Sequence, residues 1–357
     1  MIPRRVRLLC LPVLLAGALS AQGGRGPQRK PAELEHMTFE VKSFDSSSLK
    51  TKTSYGVFLP KGYSEEKNKD KRYPLIVWLH GLWEDHQRFH YRGESGALDK
   101  ALGDRLLPEV VFVTPNGGTS FYLNGKESGA YEDLIVKDLI PEIEKNFRVQ
   151  KGREHRVLMG NSMGGGGALR IAFKHPEMFG IVATHSAALF PVDPEEIPDR
   201  FRKILYAEGA QGFGLSKIFG VPPDLEMWRH ENPLWLAETL EADQLDGMKL
   251  YFDCGGKDRY QFDKPNLALH ELLEKRKVKH TWRLVANGGH GTEYAIANLP
   301  ESLRFVGMAL GVNAGKAGLE GMLGGDKSGG ENGKVEPNGG AKAKSSESRK
   351  SEPDAKK

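Results

Sequence analysis

Residues 156–174 read RVLMGNSMGGGGALRIAFK, and this stretch decides the fold. Arg156–Met159 has the character of a short strand, and Gly165–Lys174 that of a helix. Between them, Gly160-Asn161-Ser162-Met163-Gly164 fits G-x-S-x-G, the sharp turn that lifts a serine hydroxyl above the carboxyl edge of a parallel sheet. The pattern alone is weak in a chain with 43 glycines, but its position between strand and helix makes it strong. It therefore predicts that Ser162 is a nucleophile rather than a helix-capping serine.

Strands and helices alternate on both sides of this stretch. Pro74–Leu79 and Val110–Thr114 are short, nearly unbroken apolar runs, as expected of strands covered on both faces. His36–Phe44 and Thr51–Pro60 have the residues of an opening antiparallel pair. The later elements are a helix at Tyr131–Phe147, strands at Gly180–Thr184, Lys249–Asp253 and Thr281–Val285, and helices at Leu267–Lys275 and Leu299–Leu310. This alternation predicts an α/β fold with a mostly parallel, doubly wound sheet of about eight strands and helices on both faces.

The start of the chain differs from the predicted catalytic domain, which spans 36–312. Met1–Arg7 is basic, Leu8–Leu19 is apolar, and small residues follow, so residues 1–21 fit a cleaved signal peptide. A membrane-spanning helix needs about 20 apolar residues, whereas this run is shorter and contains Pro12. We therefore expect export to a secreted or periplasmic location, with no stable membrane span after cleavage.

Three further segments have the composition of loops or linkers. Residues 22–35 are rich in Gly, Pro and Arg and predict a flexible linker. Residues 313–357 contain almost no apolar side chains, so they predict a disordered tail. Residues 186–223 interrupt the alternation with prolines and glycines. This insertion is either a cap over the catalytic face or an ordinary surface excursion.

Charge and cysteine content narrow the possible partners. The formal net charge is +4, and the signal and the tail carry the excess, which leaves the remainder near −1. Nucleic-acid binders concentrate positive charge on one face, so we expect no nucleic-acid partner. No obligate protein partner is evident either.

The chain has two cysteines, of which Cys10 lies in the predicted signal. Cys254 then has no disulfide partner, and its apolar strand predicts a buried structural thiol.

A nucleophilic serine requires two further residues. An imidazole must accept its proton, and a carboxylate must orient that imidazole; in this fold the chain order is Ser, acid, His. His290 lies in the glycine-flanked loop Asn287–Thr292, after the last predicted strand. Asp258 lies in the loop that follows the preceding strand and is the predicted acid. Asp253 and Asp263 remain competitors, because sequence does not reveal their distance from the histidine.

Acyl transfer also requires two backbone N–H groups that stabilise an oxyanion. Met163 directly follows the nucleophile, and Leu82 follows His80-Gly81 after a predicted central strand. We predict these two donors, with Trp83 as the second choice in the same loop. His80 precedes the serine and does not fit the expected order, so we expect it to shape the loop.

Several further motifs occur in one order along the chain. They are Leu79-His-Gly-Leu-Trp83, Tyr131-Glu-Asp-Leu-Ile-Val-Lys-Asp-Leu-Ile-Pro141 with Asn146-Phe147, Gly160-Asn-Ser-Met-Gly-Gly165, His175-Pro176 and Gly288-Gly-His290. As a set they resemble the esterase D family of α/β-hydrolases, which includes carboxylesterases, feruloyl esterases, S-formylglutathione hydrolases and mycolyltransferases. The resemblance covers roughly residues 38–310. It implies an α/β-hydrolase fold and ester hydrolysis through an acyl-enzyme, with Ser162, Asp258 and His290 as the triad and no metal or organic cofactor.

The resemblance extends to the substrate pocket. Phe121-Tyr122 is similar to an aromatic pair that borders the pocket in that family, although packing in the core is the alternative. We predict a pocket formed by Trp83, Phe121 and Tyr122. His86 and His90 have the spacing of two metal ligands on one helix face. No clear third ligand accompanies them, so we predict no metal site.

Three classes of function fit these observations. The first is an exported hydrolase acting on carboxylic esters, including acyl groups on plant or microbial polysaccharides. The second is an acyltransferase with the same triad, in which an alcohol replaces water. The third is a non-catalytic binding module on a hydrolase fold, because a fold alone does not prove a function. A peptidase ranks below these, since the chain has no propeller-like repeats.

Overall fold

The computed structural model describes residues 31–207 and 212–313 of the chain. The predicted signal peptide, residues 1–21, lies outside the described residues. All but the first residue of the predicted tail, 313–357, also lies outside them. The observations below therefore concern the predicted catalytic domain and the last residues of the predicted linker. In that linker, the backbone N–H of Glu35 donates to Asp99.

One large sheet organises the described domain. Its strands are β1 (Met37–Ser46), β2 (Thr51–Pro60), β3 (Leu75–Leu79), β4 (Val111–Pro115), β7 (Arg156–Asn161), β8 (Ile181–His185), β9 (Lys249–Gly255) and β10 (His280–Val285). Two short strands, β5 (Asn124–Gly125) and β6 (Gly129–Ala130), form a separate pair. The order across the large sheet is β1-β2-β4-β3-β7-β8-β9-β10. β2 is antiparallel to both β1 and β4, and all other neighbours are parallel, which confirms the predicted sheet.

Helices pack against both faces of this sheet. They are α1 (Arg88–Tyr91), α2 (Glu94–Gly103), α3 (Tyr131–Asp133), α4 (Ile140–Asn146), α5 (Met163–Lys174), α6 (Asp199–Tyr206), α7 (Leu215–Phe219), α8 (Leu225–His230), α9 (Pro233–Thr239), α10 (Asp263–Lys275) and α11 (Thr292–Ala309). A π-helical segment, Leu134–Leu139, joins α3 to α4, so one helical run covers most of the predicted range. Among the described residues, no helix has the length and hydropathy needed to cross a bilayer.

The sheet separates the apolar core into two layers. Leu75, Val77 and Leu79 of β3 join the layer that includes residues of α4, α5 and α10. Ile76 and Trp78 point the other way and join residues of α2 and α11. Because successive strand residues face opposite sides, a strand covered on both faces must be apolar throughout. Cys254 is buried in the first layer, as its apolar run predicts.

The order in which successive strands are added to the sheet reverses at β3. β4 follows β3 in the chain and lies on one side of it, whereas β7 lies on the other. In open α/β sheets, ligands bind in the crevice at the carboxyl ends of the strands where this reversal occurs. The loop after β3 contains Leu82, and the turn after β7 contains Ser162. The topology therefore brings these two segments to one edge.

The insertion contains helices that the sequence did not predict. α6 and α7 lie within 186–223, and α8 and α9 follow directly. Each has only five to eight residues. Helices this short show too few turns for apolar periodicity to stand out, and the prolines and glycines around them predicted only loop. A role of 186–223 as a cap stays a prediction.

Candidate active site

Ser162 occupies a sharp turn between β7 and α5. Its φ of 54° and ψ of −118° lie outside the usual regions for a residue with a side chain, and its backbone N–H donates to the His185 carbonyl at 2.9 Å. The glycines of the motif are required by close packing. A Cβ at Gly164 would lie 1.9 Å from the Leu79 carbonyl oxygen, and one at Gly160 would lie 2.4 Å from the Gly164 oxygen. The motif thus holds the serine side chain at the sheet edge.

A chain of two hydrogen bonds connects three of the predicted residues. Nε2 of His290 lies 2.9 Å from Oγ of Ser162. Nδ1 of the same ring lies 2.7 Å from Oδ2 of Asp258, whose other oxygen accepts the Tyr260 backbone N–H at 2.8 Å. The His290 side chain is 5% exposed, and that of Asp258 is fully buried. When Nδ1–H donates to Asp258, Nε2 is free to accept a proton from the serine.

The competing acids lie elsewhere. Asp253 is fully buried at the end of β9, and three side chains donate to its carboxylate: His185 at 2.9 Å, Tyr251 at 2.8 Å and Tyr294 at 2.7 Å. Asp263 is the first residue of α10. The structure therefore places Asp258 against His290 and assigns Asp253 to a separate polar cluster in the core.

A cleft of about 220 Å³ opens at Ser162, and both predicted oxyanion donors line it. Leu82 comes from the loop after β3, and Met163 is the first residue of α5. Within the described residues, neither backbone N–H has a protein acceptor. Both groups are therefore available to an oxygen in the cleft. The amino terminus of α5 adds the positive end of a helix dipole at the same place.

The three predicted pocket residues lie in two different environments. Trp83 is 45% exposed and lines the cleft together with Phe121. Tyr122 does not line it, which corrects our prediction. Its side chain is fully buried, and its hydroxyl accepts the His80 backbone N–H at 2.8 Å. Phe121 and Tyr122 both have positive φ, and buried Arg170 donates to both of their carbonyls. Tyr122 therefore contacts, from within the core, the start of the loop after β3 that contains Leu82.

His80 and His90 have structural hydrogen-bond partners. His80 is buried, with Nδ1 donating to the Gly81 carbonyl and Nε2 accepting the Gly117 N–H at 2.9 Å. Burial lowers the pKa of His80, which favours the neutral ring that these contacts require. This arrangement agrees with a role in shaping the loop. His90 forms a hydrogen bond with the Ser95 hydroxyl at 2.9 Å.

A polar bridge joins the two loops of the cleft, and sequence analysis missed it. Oε2 of Glu84 accepts the Gly81 backbone N–H at 2.9 Å. Arg92 donates to the other oxygen of Glu84 at 2.7 Å and also to the Thr292 hydroxyl, two residues after His290. Arg92 and Glu84 both border the cleft. The bridge therefore ties the loop after β3 to the loop of the histidine.

A second cavity adjoins the cleft and is mostly apolar. Its volume is about 440 Å³, and α6 and the start of α10 contribute to its wall. Phe213, Arg259 and Tyr260 line both the cavity and the cleft. Phe213 belongs to the insertion, so that segment contributes to the surroundings of Ser162.

Known proteins of similar sequence are esterases. The family model named Esterase, described as "Putative esterase", matches residues 46–306. An endo-1,4-beta-xylanase/feruloyl esterase of Xylanibacter ruminicola is 30% identical over 173 residues, which cover 47% of this chain and 24% of that protein. The chain thus spans about a quarter of this relative. An acetyl esterase of Caldicellulosiruptor saccharolyticus is 28% identical over 262 residues, or 67% of this chain and 91% of that protein.

Solved structures agree with this assignment. A ferulic acid esterase is 28% identical with a TM-score of 0.64, over 77% of this chain and 99% of that one. An S-formylglutathione hydrolase of Staphylococcus aureus shares 20% identity and a TM-score of 0.62, over 76% and 99% of the two chains, which shows the fold alone. Because the family model matches more than half of its residues, this chain belongs to the Esterase family and has the α/β-hydrolase fold.

Proposed function

We propose that the protein is an exported serine esterase that hydrolyses carboxylic esters through an acyl-enzyme. Ser162 is the nucleophile, His290 the general base and Asp258 the acid that orients the histidine. The observation that carries the proposal is the hydrogen-bond chain through the two nitrogens of His290, at 2.9 Å to the serine and 2.7 Å to the aspartate. The position of Ser162 in a sharp turn at the sheet edge supports the same proposal, as does the similarity to known esterases.

The first half of the reaction acylates the serine. Oγ of Ser162 attacks the ester carbonyl carbon while its proton passes to Nε2 of His290, and Asp258 stabilises the imidazolium that forms. The carbonyl oxygen becomes negative and accepts the N–H groups of Leu82 and Met163. The tetrahedral intermediate then collapses, the carbon–oxygen bond to the alcohol breaks, and His290 protonates the departing alcohol.

The second half releases the acid. Water attacks the acyl-enzyme and gives one proton to His290, and the same two N–H groups stabilise the new oxyanion. Collapse breaks the bond to Ser162, which regains its proton from His290. The sum is ester plus water giving acid plus alcohol. Replacement of water by an acceptor alcohol would turn the same cycle into acyl transfer.

The surroundings of the cleft bear on the acyl group. The adjoining cavity is apolar and is lined by aromatic rings, among them Phe190, Phe201 and Phe262. A pocket of several hundred Å³ is large enough for an aromatic acyl group, whereas an acetyl group would fill little of it. Similar proteins include feruloyl esterases and an acetyl esterase, so both kinds of acyl group have to be considered. We infer a preference for bulky aromatic acyl groups, such as feruloyl, over acetyl.

Two measurements on the purified protein test this proposal. The first is the mass after exposure to a fluorophosphonate, which should increase by one adduct in the parent protein and not in the Ser162→Ala variant. The second compares kcat/KM for ethyl ferulate and ethyl acetate, which share one alcohol. Labelling of Ser162 with faster turnover of the ferulate ester would support both parts. A folded protein that is neither labelled nor active would favour the binding module. When an acceptor sugar is added to the second assay, acylated sugar without free acid would favour the transferase.

Export is a separate part of the proposal. Its support is the basic and then apolar start of the sequence, Met1–Leu19. Expression of the full chain with this segment, followed by amino-terminal sequencing of the extracellular or periplasmic protein, tests it. A new amino terminus near Ala21 is expected. Retention of the intact start in the cytoplasm would contradict export.

A further inference from the structure

A cluster of metal-binding side chains lies between α10 and β10. His270 and Glu274 are four residues apart on α10 and so share one face of the helix, and His280 is the first residue of β10. Nδ1 of His270 lies 2.8 Å from Nε2 of His280, and Oε1 of Glu274 lies 3.8 Å from the same Nε2. The three donor atoms all lie within 4.8 Å of one another.

The surroundings of His280 fix its ring in the orientation that a metal ligand requires. Its Nδ1 lies 2.8 Å from the Val278 carbonyl, to which it donates, so Nε2 carries the lone pair that faces the cluster. The ring stacks on Phe252 at 5.6 Å, and the side chain is 1% exposed. His270 is packed similarly, stacked on Trp282 at 5.9 Å. Metal-binding histidines commonly have such a carbonyl partner on the second nitrogen.

The charges around the cluster partly favour a cation. Glu274 is exposed and supplies a negative charge beside the two rings. Lys277 and Lys279, in the loop between α10 and β10, are exposed and oppose a cation. We therefore expect affinity below that of a closed structural zinc site.

We propose that His270, Glu274 and His280 bind a divalent transition metal ion such as Zn²⁺, through two imidazole nitrogens and one carboxylate oxygen. Water would complete a tetrahedral set. Metal–nitrogen distances near 2.0–2.1 Å require the two nitrogens to lie about 3.3 Å apart. Binding must therefore separate them by about half an ångström and turn the His270 ring, whose Nδ1–H now points at His280, so that both lone pairs face the ion. His270 lies on the partly exposed helix surface, where its side chain can make that shift.

The position of the cluster indicates a structural role for the ion. β10 is the last strand of the sheet order, and His280 stands at its amino end. His290 follows the carboxyl end of this strand, about 17 Å away along the strand axis. An ion held here would join α10 to the edge strand without contacting the ester site. The proposal is therefore independent of the proposed esterase function.

Calorimetric titration of the full chain, made without a polyhistidine tag and dialysed after chelation, tests the site. We expect one Zn²⁺ per chain, and Co²⁺ should give visible absorption bands of a four-coordinate nitrogen and oxygen site. A hundredfold excess of Zn²⁺ over Kd should raise Tm by about 5 °C. His270→Ala should abolish binding, and Glu274→Gln should weaken it at least tenfold.

The matched control is His155→Ala, which removes a partly exposed histidine beside Glu154 elsewhere on the surface. Its Zn²⁺ isotherm should equal that of the parent. Circular dichroism of each variant verifies the fold, and this matters most for any variant of buried His280. Absence of a one-to-one isotherm in the parent, or an unchanged isotherm in folded His270→Ala, would overturn the proposal. In that case the two histidines form only a hydrogen bond between α10 and β10.

Discussion

The residues that the structure describes contain two hydrogen-bonded Ser–His–Asp sets, and one of the two lies at a cleft. The cleft set consists of Ser162, His290 and Asp258, and the core set consists of Ser302, His185 and Asp253. In each set the Nε2–Oγ distance is 2.9 Å. The distance from Nδ1 to the carboxylate is 2.7 Å in the cleft set and 2.9 Å in the core set. Distances between these three residues therefore do not distinguish an active site from a core network.

The surroundings of the serine do distinguish them. Ser302 lies within α11 and is fully buried, and its hydroxyl lies 2.9 Å from Nε2 of His185 and 3.0 Å from the Leu299 carbonyl oxygen. It therefore has no access to substrate. Ser162 stands on a strained turn at a cleft, beside the backbone N–H groups of Met163 and Leu82. Catalysis requires this access and these donors in addition to the hydrogen bonds.

The largest expected effect is the difference in activity between variants of the two serines. Ser162→Ala should lower kcat for ester hydrolysis by a factor of about 10⁴ or more, because no nucleophile remains, and should leave the fold intact. Ser302→Ala should leave kcat/KM within about threefold while lowering the free energy of unfolding by about 1 kcal/mol. Initial rates and thermal unfolding check both. Equal loss of activity in the two variants would remove the distinction between the sets.

Substitution of the two aspartates should likewise affect activity in one case and stability in the other. Asp258→Asn should lower kcat by a factor of about 10³ to 10⁴, since the amide no longer fixes the His290 tautomer. Asp253→Asn should lower stability by about 2 kcal/mol, because three donors lose a charged acceptor. The activity per folded molecule should stay near that of the parent. An active Asp258→Asn variant would show that another group orients the histidine.

The bridge from Arg92 to Glu84 and Thr292 should have an intermediate effect. Arg92→Met removes the link between the two loops of the cleft and leaves Glu84 without its cationic partner. We expect kcat/KM to fall about tenfold through misplacement of the oxyanion donors. Lys100→Met is the control, since it removes an exposed cation that pairs with Asp104 on the surface. Equal rates in the two variants would show that the bridge serves only packing.

Much of the fold could be predicted because its signals are local. The five residues of β3 are all apolar, as double coverage requires, and G-x-S-x-G lies between β7 and α5 as expected. The short helices α6 to α9 escaped prediction because prolines and glycines surround them. Their existence depends on contacts with the rest of the domain rather than on a repeating pattern.

The candidate site was predictable in part. The serine and histidine stood out because each follows a strand in a glycine-rich segment. Asp253 and Asp258 both lie near the carboxyl ends of the parallel strands. The sequence therefore did not show which of them contacts His290, and the structure does. Arg92 and Thr292 lie 200 residues apart, and no local pattern joins them. The prediction for Tyr122 was wrong because its ring is buried and its hydroxyl contacts the His80 backbone 42 residues away, which no local pattern reveals.

The last expected effect is on stability and not on activity, and it concerns Glu94, a buried acid that lacks the histidine partner that Asp253 and Asp258 each have. Burial, and then the nearby charge of Glu84, raise the pKa of Glu94 to about 8, from 4.5. The folded protein therefore holds a proton that the unfolded chain releases above pH 4.5, and stability falls as the pH rises from there to about 8. Glu94→Gln is neutral throughout this range and should be more stable than the parent at pH 8, by up to about 4 kcal/mol, with little difference at pH 4.

Thermal unfolding of the Glu94→Gln variant and the parent across this pH range measures the effect, and Glu154→Gln, at an exposed site, is the matched control. A gap between parent and Glu94→Gln that widens with pH, and no such gap for the control, is the expected result. A gap independent of pH would mean that Glu94 is ionised in the folded protein. In that case the charges of Arg92 and Arg88, which lower the pKa of Glu94, would compensate for its burial.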